Sequence, residues 1–532
     1  MTEQARACPG QPAPTRGLSR RGTLLVSFVS GFAVMDAEIA AGRLFAPYYG
    51  TSTTTWALLI GTILLSLAVG GLLGGRLSRR GAPERYLAVL PLAAALLLSL
   101  LPRVGPWLMA GSLTRFRSGD FAGLVLAALA VALLLAVPVL LLGALSPLIL
   151  HAAGRQQPEQ RLPDELGSVS GRLYFAGTLG SLVGTFGAGV LFIPWLGTAR
   201  TIDLGAVALG LAGGGVALAC ARRRAGLAAL AVTVLVLALA VTGFAPSPDP
   251  PNGRLIYSGE SRYNHIAVVE AGGQRQLRVN DGFAVQSLTY ADGRLPLQDV
   301  WAFYALAPTW GEQPSPRRVL LLGLGGGTAA EIYRRLYPEA QITGVEIDEA
   351  MVAAGERHLG VRLDGVKVEI EDARTFVAAA AARSGEGWDV IILDAFQFPY
   401  IPFQLATREF FHQIAACLAP GGVLMVNAGR YGEHRAVVHA LARTLQSEFA
   451  HVLAADAPNP SNTLLVASRH DPRGGVGLKG LRVEAQTARD LRSIAVWYDA
   501  MRTAVWPPET PLLTDDDAPV EWLTDRIIWR QL

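Results

Sequence analysis

The chain has 532 residues, a hydrophobic content of 51% and a charged content of only 17%. That is too apolar for a purely water-soluble enzyme and long enough for more than one domain. The net charge of +3 is mild, and the basic residues gather between apolar runs, so they read as topology signals and not as a nucleic-acid patch. Cys8, Cys220 and Cys417 stand at unrelated spacings and the histidines are scattered, so neither a disulfide framework nor a metal site is expected.

Residues 1–21 are polar, carry Pro and Arg, and are expected to be disordered. From 22 to 245 seven apolar segments follow, at about 23–42, 53–75, 86–102, 121–150, 172–195, 200–220 and 225–244. Most reach the roughly 20 residues a spanning helix needs, which predicts an α-helical multi-pass membrane domain. The acids Asp36 and Glu38 inside the first run, and the apolar segments after it, argue against a cleaved signal peptide. The third segment is short. The fourth is long and carries Pro138 and Pro147, which predicts a kink. Gly70 with Gly74, Gly71 with Gly75 and Gly180 with Gly184 recur at a spacing that lets helix backbones approach closely. Asp36 and Glu38 are costly in hydrocarbon and should face the bundle interior or an interface. With Arg43 nearby, a structural ion pair is the favoured reading, and a proton or substrate site the other.

The later part reads as an ordinary globular region. Pro246 to Pro251 form a stiff linker. Residues 256–279 alternate like strands and are interrupted by Gly272–Gly273, a hairpin signal, and Asn280–Asp281–Gly282 makes a further turn. Residues 253–310 are thus a small β-rich lead-in. Residues 311–470 then alternate strand and helix. Val319 to Leu322 read as a buried parallel strand that breaks into Gly323, Gly325, Gly326 and Gly327, before a helix over 328–336 and a second strand, 342–345, ending on Glu346 and Asp348. Small residues at a helix N-terminus let a ligand sit against bare backbone. The acid about 20 residues on is placed to accept hydrogen bonds from ribose hydroxyls. Further strands end at Glu371–Asp372 and at Asp394, a helix covers about 407–418, and Pro420–Gly421–Gly422 turn into the strand 423–426. Acids at several ends of one sheet suit a cationic ligand. Residues 471–532 form a C-terminal extension whose Asp515–Asp516–Asp517 run reads as a solvated turn before it reads as a cation cluster. Tyr263, Trp301 and Tyr304 read as packing residues.

The pieces SRYN at 261–264, NDG at 280–282, LQD at 297–299, LLLGLGGGT at 320–328, VEID at 345–348, EDARTF at 371–376 and ILDAF at 392–396 stand in one order. Over about 253–470 this set resembles the spermidine synthase family of aminopropyltransferases. With the apolar segments and LLTDDDAPVE at 512–521, the whole resembles membrane-fused spermidine synthase-like proteins. The resemblance implies a Rossmann-like fold of the S-adenosylmethionine-methyltransferase type, with an N-terminal β-hairpin subdomain, behind the membrane helices. It implies that Gly323, Gly325 and Gly327 hold the cofactor, that Glu346 takes its ribose, that Asp372 and Ala373 meet the adenine, and that Asp394 takes the proton of the attacking amine. Asn264 and Gln298 fall on substrate-contacting positions. Gly326 stands where the family has an acid for the donor's amino group, Leu297 where it has Tyr, Asn264 where it has Gln, and a second acid falls at or near Gln397.

The resulting expectation is polyamine biosynthesis: aminopropyl transfer from decarboxylated S-adenosylmethionine, bound as a co-substrate, to a small amine. The alternatives are methyl transfer from S-adenosylmethionine and a non-catalytic polyamine transporter or sensor. Expected partners are the lipid membrane and the amine, without nucleic acid; a homodimer is compatible with the family. Arginine clusters before the first segment, at Arg76, Arg79 and Arg80, at Arg155, Arg161 and Arg172, and at Arg222 to Arg224 mark alternate loops and put the N-terminus in the cytoplasm. Seven crossings would then leave the catalytic half outside, away from its cofactor. One segment, the short third or the last, is therefore expected not to span, giving an inner-membrane protein with a cytoplasmic catalytic half. A reporter fused after Leu532 should read as cytoplasmic; an extracytoplasmic signal would reverse that choice.

Overall fold

The structure is a computed structural model that describes residues 18–49, 53–80, 83–117, 133–155, 162–220, 223–242, 253–280, 285–383, 387–395, 401–430, 433–458, 461–482 and 485–524. The expectations placed on residues 1–17, on the 246–251 linker, on Asp281–Gly282 and on Gln397 lie outside these. Two compact units divide between Pro246 and Ser247.

The first unit is helical: α1 (Arg20–Tyr49), α2 (Thr53–Ser78), α3 (Pro83–Arg117), α4 (Leu133–Gly154), α5 (Leu162–Phe186), α6 (Thr198–Cys220) and α7 (Arg223–Thr242). Among the described residues seven helices are long and apolar enough to cross a membrane. The third is not short. It runs for 35 residues with Pro91, Pro102 and Pro106 inside it, and 26 of them, Glu84–Met109, form its apolar stretch. Proline ends most helical patterns, which is why the sequence reading stops at Pro102; here the helix continues through it. Helix α4 is interrupted by a turn at Ala144.

Helices α1 and α5 meet backbone to backbone. A Cβ on Gly180 would stand 1.9 Å from the carbonyl oxygen of Phe28, and one on Gly184 2.4 Å from that of Phe32. Gly70 and Gly74 serve α2 in the same way against Leu140 and Ala144 of α4, whereas Gly71 and Gly75 face open space. Of the three spaced pairs, two are therefore contact positions and one is not.

The ion pair expected at Asp36 is not made there. Asp36 is fully buried, and neither of its carboxylate oxygens has a hydrogen-bond partner. A buried pair lies between Arg103 of α3 and Asp203 of α6, in bidentate contact at 2.8 and 3.1 Å. The same guanidinium donates to the carbonyls of Ser99 and Leu239. Partners so distant in sequence give no local signal.

The second unit opens with an antiparallel meander, β1 (Arg254–Glu260), β2 (His265–Ala271), β3 (Gln274–Val279) and β4 (Val285–Tyr290), turning at Gly272–Gly273 between β2 and β3. After α8 (Asp299–Leu306) come β5 (Arg318–Leu322), α9 (Thr328–Leu336), β6 (Gln341–Glu346), α10 (Glu349–Ala354), β7 (Val366–Ile370), α11 (Ala373–Ala381), β8 (Trp388–Leu393), α12 (Arg408–Cys417), β9 (Leu418–Gly429), α13 (Ala436–Gln446), β10 (His451–Asp456), β11 (Asn462–Ser468) and β12 (Arg502–Thr503). The sheet order is β12-β10-β11-β9-β8-β5-β6-β7. Strands β7, β6, β5, β8 and β9 are parallel, and β11, β10 and β12 add antiparallel edges. The apolar run of β5 is buried on both faces: Val319 and Leu321 enter one core, Leu320 and Leu322 the other. Strand β8 repeats this with Val390 and Ile392 against Ile391 and Leu393. The C-terminal extension belongs to this core, since Leu513 and Val520 are fully buried in it.

Removing one member of a buried ion pair strands the other charge and costs about 3–5 kcal/mol, while replacing both by apolar side chains costs far less. Asp203→Ala should therefore destabilise the helical unit by about that much. The double change Arg103→Met with Asp203→Leu should restore most of it, as read by thermal unfolding in detergent.

Candidate active site

The chain lays down β5, moves outward through β6 and β7, and returns to β8 on the other side of β5. A crevice opens where such a parallel sheet reverses direction, outside the carboxyl ends of its strands. Gly323, Glu346 and Asp394 end or directly follow β5, β6 and β8, and Asp372 stands two residues beyond β7, so the sheet brings all four to one edge. Gly323 and Asp394 touch. The Asp394 amide donates to the Leu322 carbonyl at 2.8 Å, and a Cβ on Gly323 would stand 2.3 Å from the Asp394 carbonyl oxygen. Gly323 also has φ 90°, a conformation that side-chain-bearing residues rarely adopt. Position 323 is therefore closed to other residues on two counts.

The carboxyl of Asp394 is held at both oxygens. The Tyr304 hydroxyl donates to Oδ2 at 2.6 Å, and the Asn427 amide donates to Oδ1 at 2.8 Å. Asn427 is itself set by Asn462, whose amide donates to its Oδ1 at 2.8 Å. Burial pushes Asp394 up from the usual carboxylate value of 3.8 to about 6, while the bonds from Tyr304 and Asn427 pull it down. Burial and the adjacent Asp394 charge raise Tyr304 well above the ordinary phenol value, so it stays a donor. The result is a carboxyl group that is ionised at neutral pH yet close to its own midpoint.

Tyr304 thus does more than pack. It and Trp301, both on α8, line a small cavity with Gln286, Ser287, Gly323 and Asp394. Asn427 is the partner of Asp394 that the sequence reading missed. Its signal was a single amide in an otherwise apolar strand, VLMVNA, where each buried neighbour needs no partner and Asn does.

Glu346 lies beside the glycine turn. Its Oε2 accepts the Gly325 amide at 2.7 Å and its Oε1 the Asp348 amide at 3.1 Å. Burial raises its pKa, and these backbone donors oppose the rise. Gly327 sits at the start of α9, with φ 91°. Asp372 caps α11, taking the Thr375 amide at 3.0 Å, and Ala373 is buried behind it. Gly326 is crowded: a Cβ would lie 3.0–3.1 Å from the side chains of Leu277, Ser287 and Leu359, which would have to give by a few tenths of an ångström, and its amide donates to the Ser287 hydroxyl at 2.9 Å.

The two substrate expectations fare differently. Asn264 does not present a free amide to a substrate. Its Nδ2 donates to Asp348 at 3.1 Å and its Oδ1 accepts from Asn280 at 3.2 Å. Ser261 reaches the same Asp348 oxygen at 2.5 Å. The SRYN turn is therefore a bracket fixing the lead-in sheet to the end of β6. Gln298 begins α8, and its Oε1 accepts the Tyr290 hydroxyl at 2.6 Å. Leu297 packs on the core.

The Asp515 run is not a free turn. Asp515 meets the Arg374 guanidinium at 3.2 and 2.6 Å and accepts the Thr407 hydroxyl at 2.6 Å, while its amide donates to Glu409 at 3.0 Å. Asp516 and Asp517 are exposed beside it, and the Asp517 amide donates to the Thr514 hydroxyl at 3.1 Å. Sequence spacing could not show this, because the partner lies 141 residues away.

Comparison with known proteins is consistent with this geometry. Residues 309–464 match the spermine/spermidine synthase domain. A probable polyamine aminopropyl transferase of Bifidobacterium longum is 33% identical over 288 residues, 51% of this chain and 62% of that protein. A polyamine aminopropyltransferase of Vibrio vulnificus is 30% identical over 281 residues, 51% of this chain and 91% of that protein. A putrescine N-methyltransferase of Nicotiana attenuata is 29% identical over 204 residues, 37% of this chain and 52% of that protein. Among solved structures, a probable spermidine synthase from Corynebacterium glutamicum is 20% identical, covers 49% of this chain and 100% of its own, and has a TM-score of 0.35.

The raised value of Asp394 fixes a pH dependence. A carboxyl that holds its proton more tightly when folded contributes stability that is full below its ordinary 3.8 and is lost as pH rises through about 6. Asp394→Asn keeps the shape, and the Tyr304 hydroxyl can turn to accept. The variant should melt higher than the parent at about pH 8, with the difference shrinking as pH falls through about 6, measured by calorimetric scans of the full chain in detergent.

Proposed function

The chain belongs to the spermine/spermidine synthase family of polyamine aminopropyltransferases, and on that premise we propose that it transfers an aminopropyl group from decarboxylated S-adenosylmethionine to an amine. The observation that carries this reading is Asp394: a buried carboxylate at the sheet's reversal point, touching the glycine turn and steered at both oxygens by Tyr304 and Asn427. The donor's nucleoside would lie over Gly323, Gly325 and Gly327, its ribose at Glu346 and its adenine at Asp372 and Ala373. For the ribose to reach Glu346, that carboxylate has lone pairs beyond the two that the backbone amides use.

The reaction is one displacement. The amine nitrogen forms a bond to the propyl carbon as that carbon's bond to sulfur breaks, and the electron pair of the broken bond returns to sulfur, which leaves as a neutral thioether. The nitrogen gives up a proton to Asp394. Holding the nitrogen in line with the carbon–sulfur bond supplies most of the rate. Below pH 6 Asp394 is increasingly protonated and cannot serve.

Methyl transfer from S-adenosylmethionine is the second reading. Position 326 favours it, because Gly326 carries no carboxylate that would bind the amino group of one donor or repel the carboxylate of the other. The helices of the first unit suit an inner-membrane anchor with the catalytic unit on the cytoplasmic side. With the third helix of full length, the segment proposed not to cross is α7, the shortest at 18 apolar residues.

Calorimetry on the full chain in detergent separates the donors. Tighter binding of the decarboxylated form supports aminopropyl transfer; tighter binding of S-adenosylmethionine replaces it with methyl transfer. Asp394→Asn should lower turnover by about 10²–10⁴-fold while donor affinity changes little, and the parent's kcat/KM should fall as pH drops through about 6. Unchanged turnover in that variant would mean that the base lies elsewhere.

A further inference from the structure

Asp36 lies in the middle of α1, where that helix is pressed against α5 and α6 through glycine. Its own amide is 3.1 Å from the Cβ position of Gly184, and its Oδ2 is 2.7 Å from the Cβ position of Gly205. The side chain has no exposed surface, and both oxygens lack a hydrogen-bond partner. Among the described residues no cation bonds to it. Arg103 of α3 is bound to Asp203 of α6. Arg172 of α5 and Arg200 of α6 are exposed. His151 of α4, and Glu38 and Arg43 on α1 itself, likewise make no bond to either oxygen.

An ionised carboxylate removed from water and left unpaired is strongly disfavoured. The group must therefore hold something that neutralises it. A single carboxylate flanked by glycine backbone offers no second ligand for a metal ion, and no group of three metal-binding side chains exists among the described residues. The close approach of Gly205 leaves no space for an organic ammonium. What fits is a proton.

We propose that Asp36 is a proton-binding site of the helical unit, neutral while α1, α5 and α6 are packed as seen and emptied only when α1 and α6 part at Gly205 and admit water. This gives the helices a proton-linked conformational step in addition to any anchoring, and it is independent of the chemistry at Asp394.

The test is thermal unfolding of the full chain in detergent, parent against Asp36→Asn, from about pH 6 to about pH 9. Unfolding exposes the carboxyl and releases its proton, so the parent should lose stability as pH rises while the variant, which has no proton to lose there, stays flatter. A midpoint difference that grows with pH is the expected result; a difference constant across the range overturns the proposal. Should Asp36→Asn fail to fold, labelling of the parent by an apolar carbodiimide decides, because that reagent needs a protonated acid. A mass-spectrometric adduct on Asp36 that fades as pH rises supports the site. An unmodified Asp36 beside a modified Glu38, the half-buried neighbour that reports access of the reagent, overturns it.

Discussion

The contact between Gly323 and the backbone of Asp394 is the constraint on which the catalytic unit depends. Two parallel strands, β5 and β8, end side by side, and the chain leaves them in opposite directions. Only a residue without a side chain, in a left-handed conformation, lets the turn after β5 pass that closely over the start of the segment after β8. That single approach places the cofactor-side backbone and the candidate base in the same crevice. The strands themselves are fixed by burial on both faces, so the ends cannot slide relative to each other without moving apolar residues out of two cores.

Around Asp394 the fold solves a second problem. A carboxylate sealed from solvent is costly unless its lone pairs are used. Tyr304 and Asn427 use one on each oxygen, and Asn462 fixes Asn427 in turn. The chain of amides runs from the parallel centre of the sheet to its antiparallel edge, because β9 lies between β8 and β11. The Asp394 carboxyl is therefore oriented by residues on three different elements, and burial outweighs their stabilisation of its charge.

Much of this was legible in the sequence where the signal is local. Val319 to Leu322 declare a two-sided strand, the glycines declare the turn, and Glu346, Asp372 and Asp394 follow their strands at the spacing that puts them on one edge. What was not legible depends on partners remote in sequence. Nothing near Asn264 shows that Asp348 will consume its amide, and nothing near Asp515 shows Arg374. The length of α3 was hidden for a different reason: a proline inside a helix is locally unfavourable, and tertiary packing overrode it. Asp36 was read correctly as interior but not as solitary, since the cation in its own segment does not reach it.

The tie between Arg374 and Asp515 alters the meaning of the last described stretch. Arg374 follows Ala373 directly, so the residue that braces the extension is one peptide bond from the position expected to meet adenine. The extension thus braces the start of α11 at the carboxyl edge of the sheet and is not an appendage. Shortening the chain ahead of Thr510 would consequently uncover Leu322 and Leu393, which share a core with Leu513, Val520 and Leu523, and would free the Arg374 guanidinium.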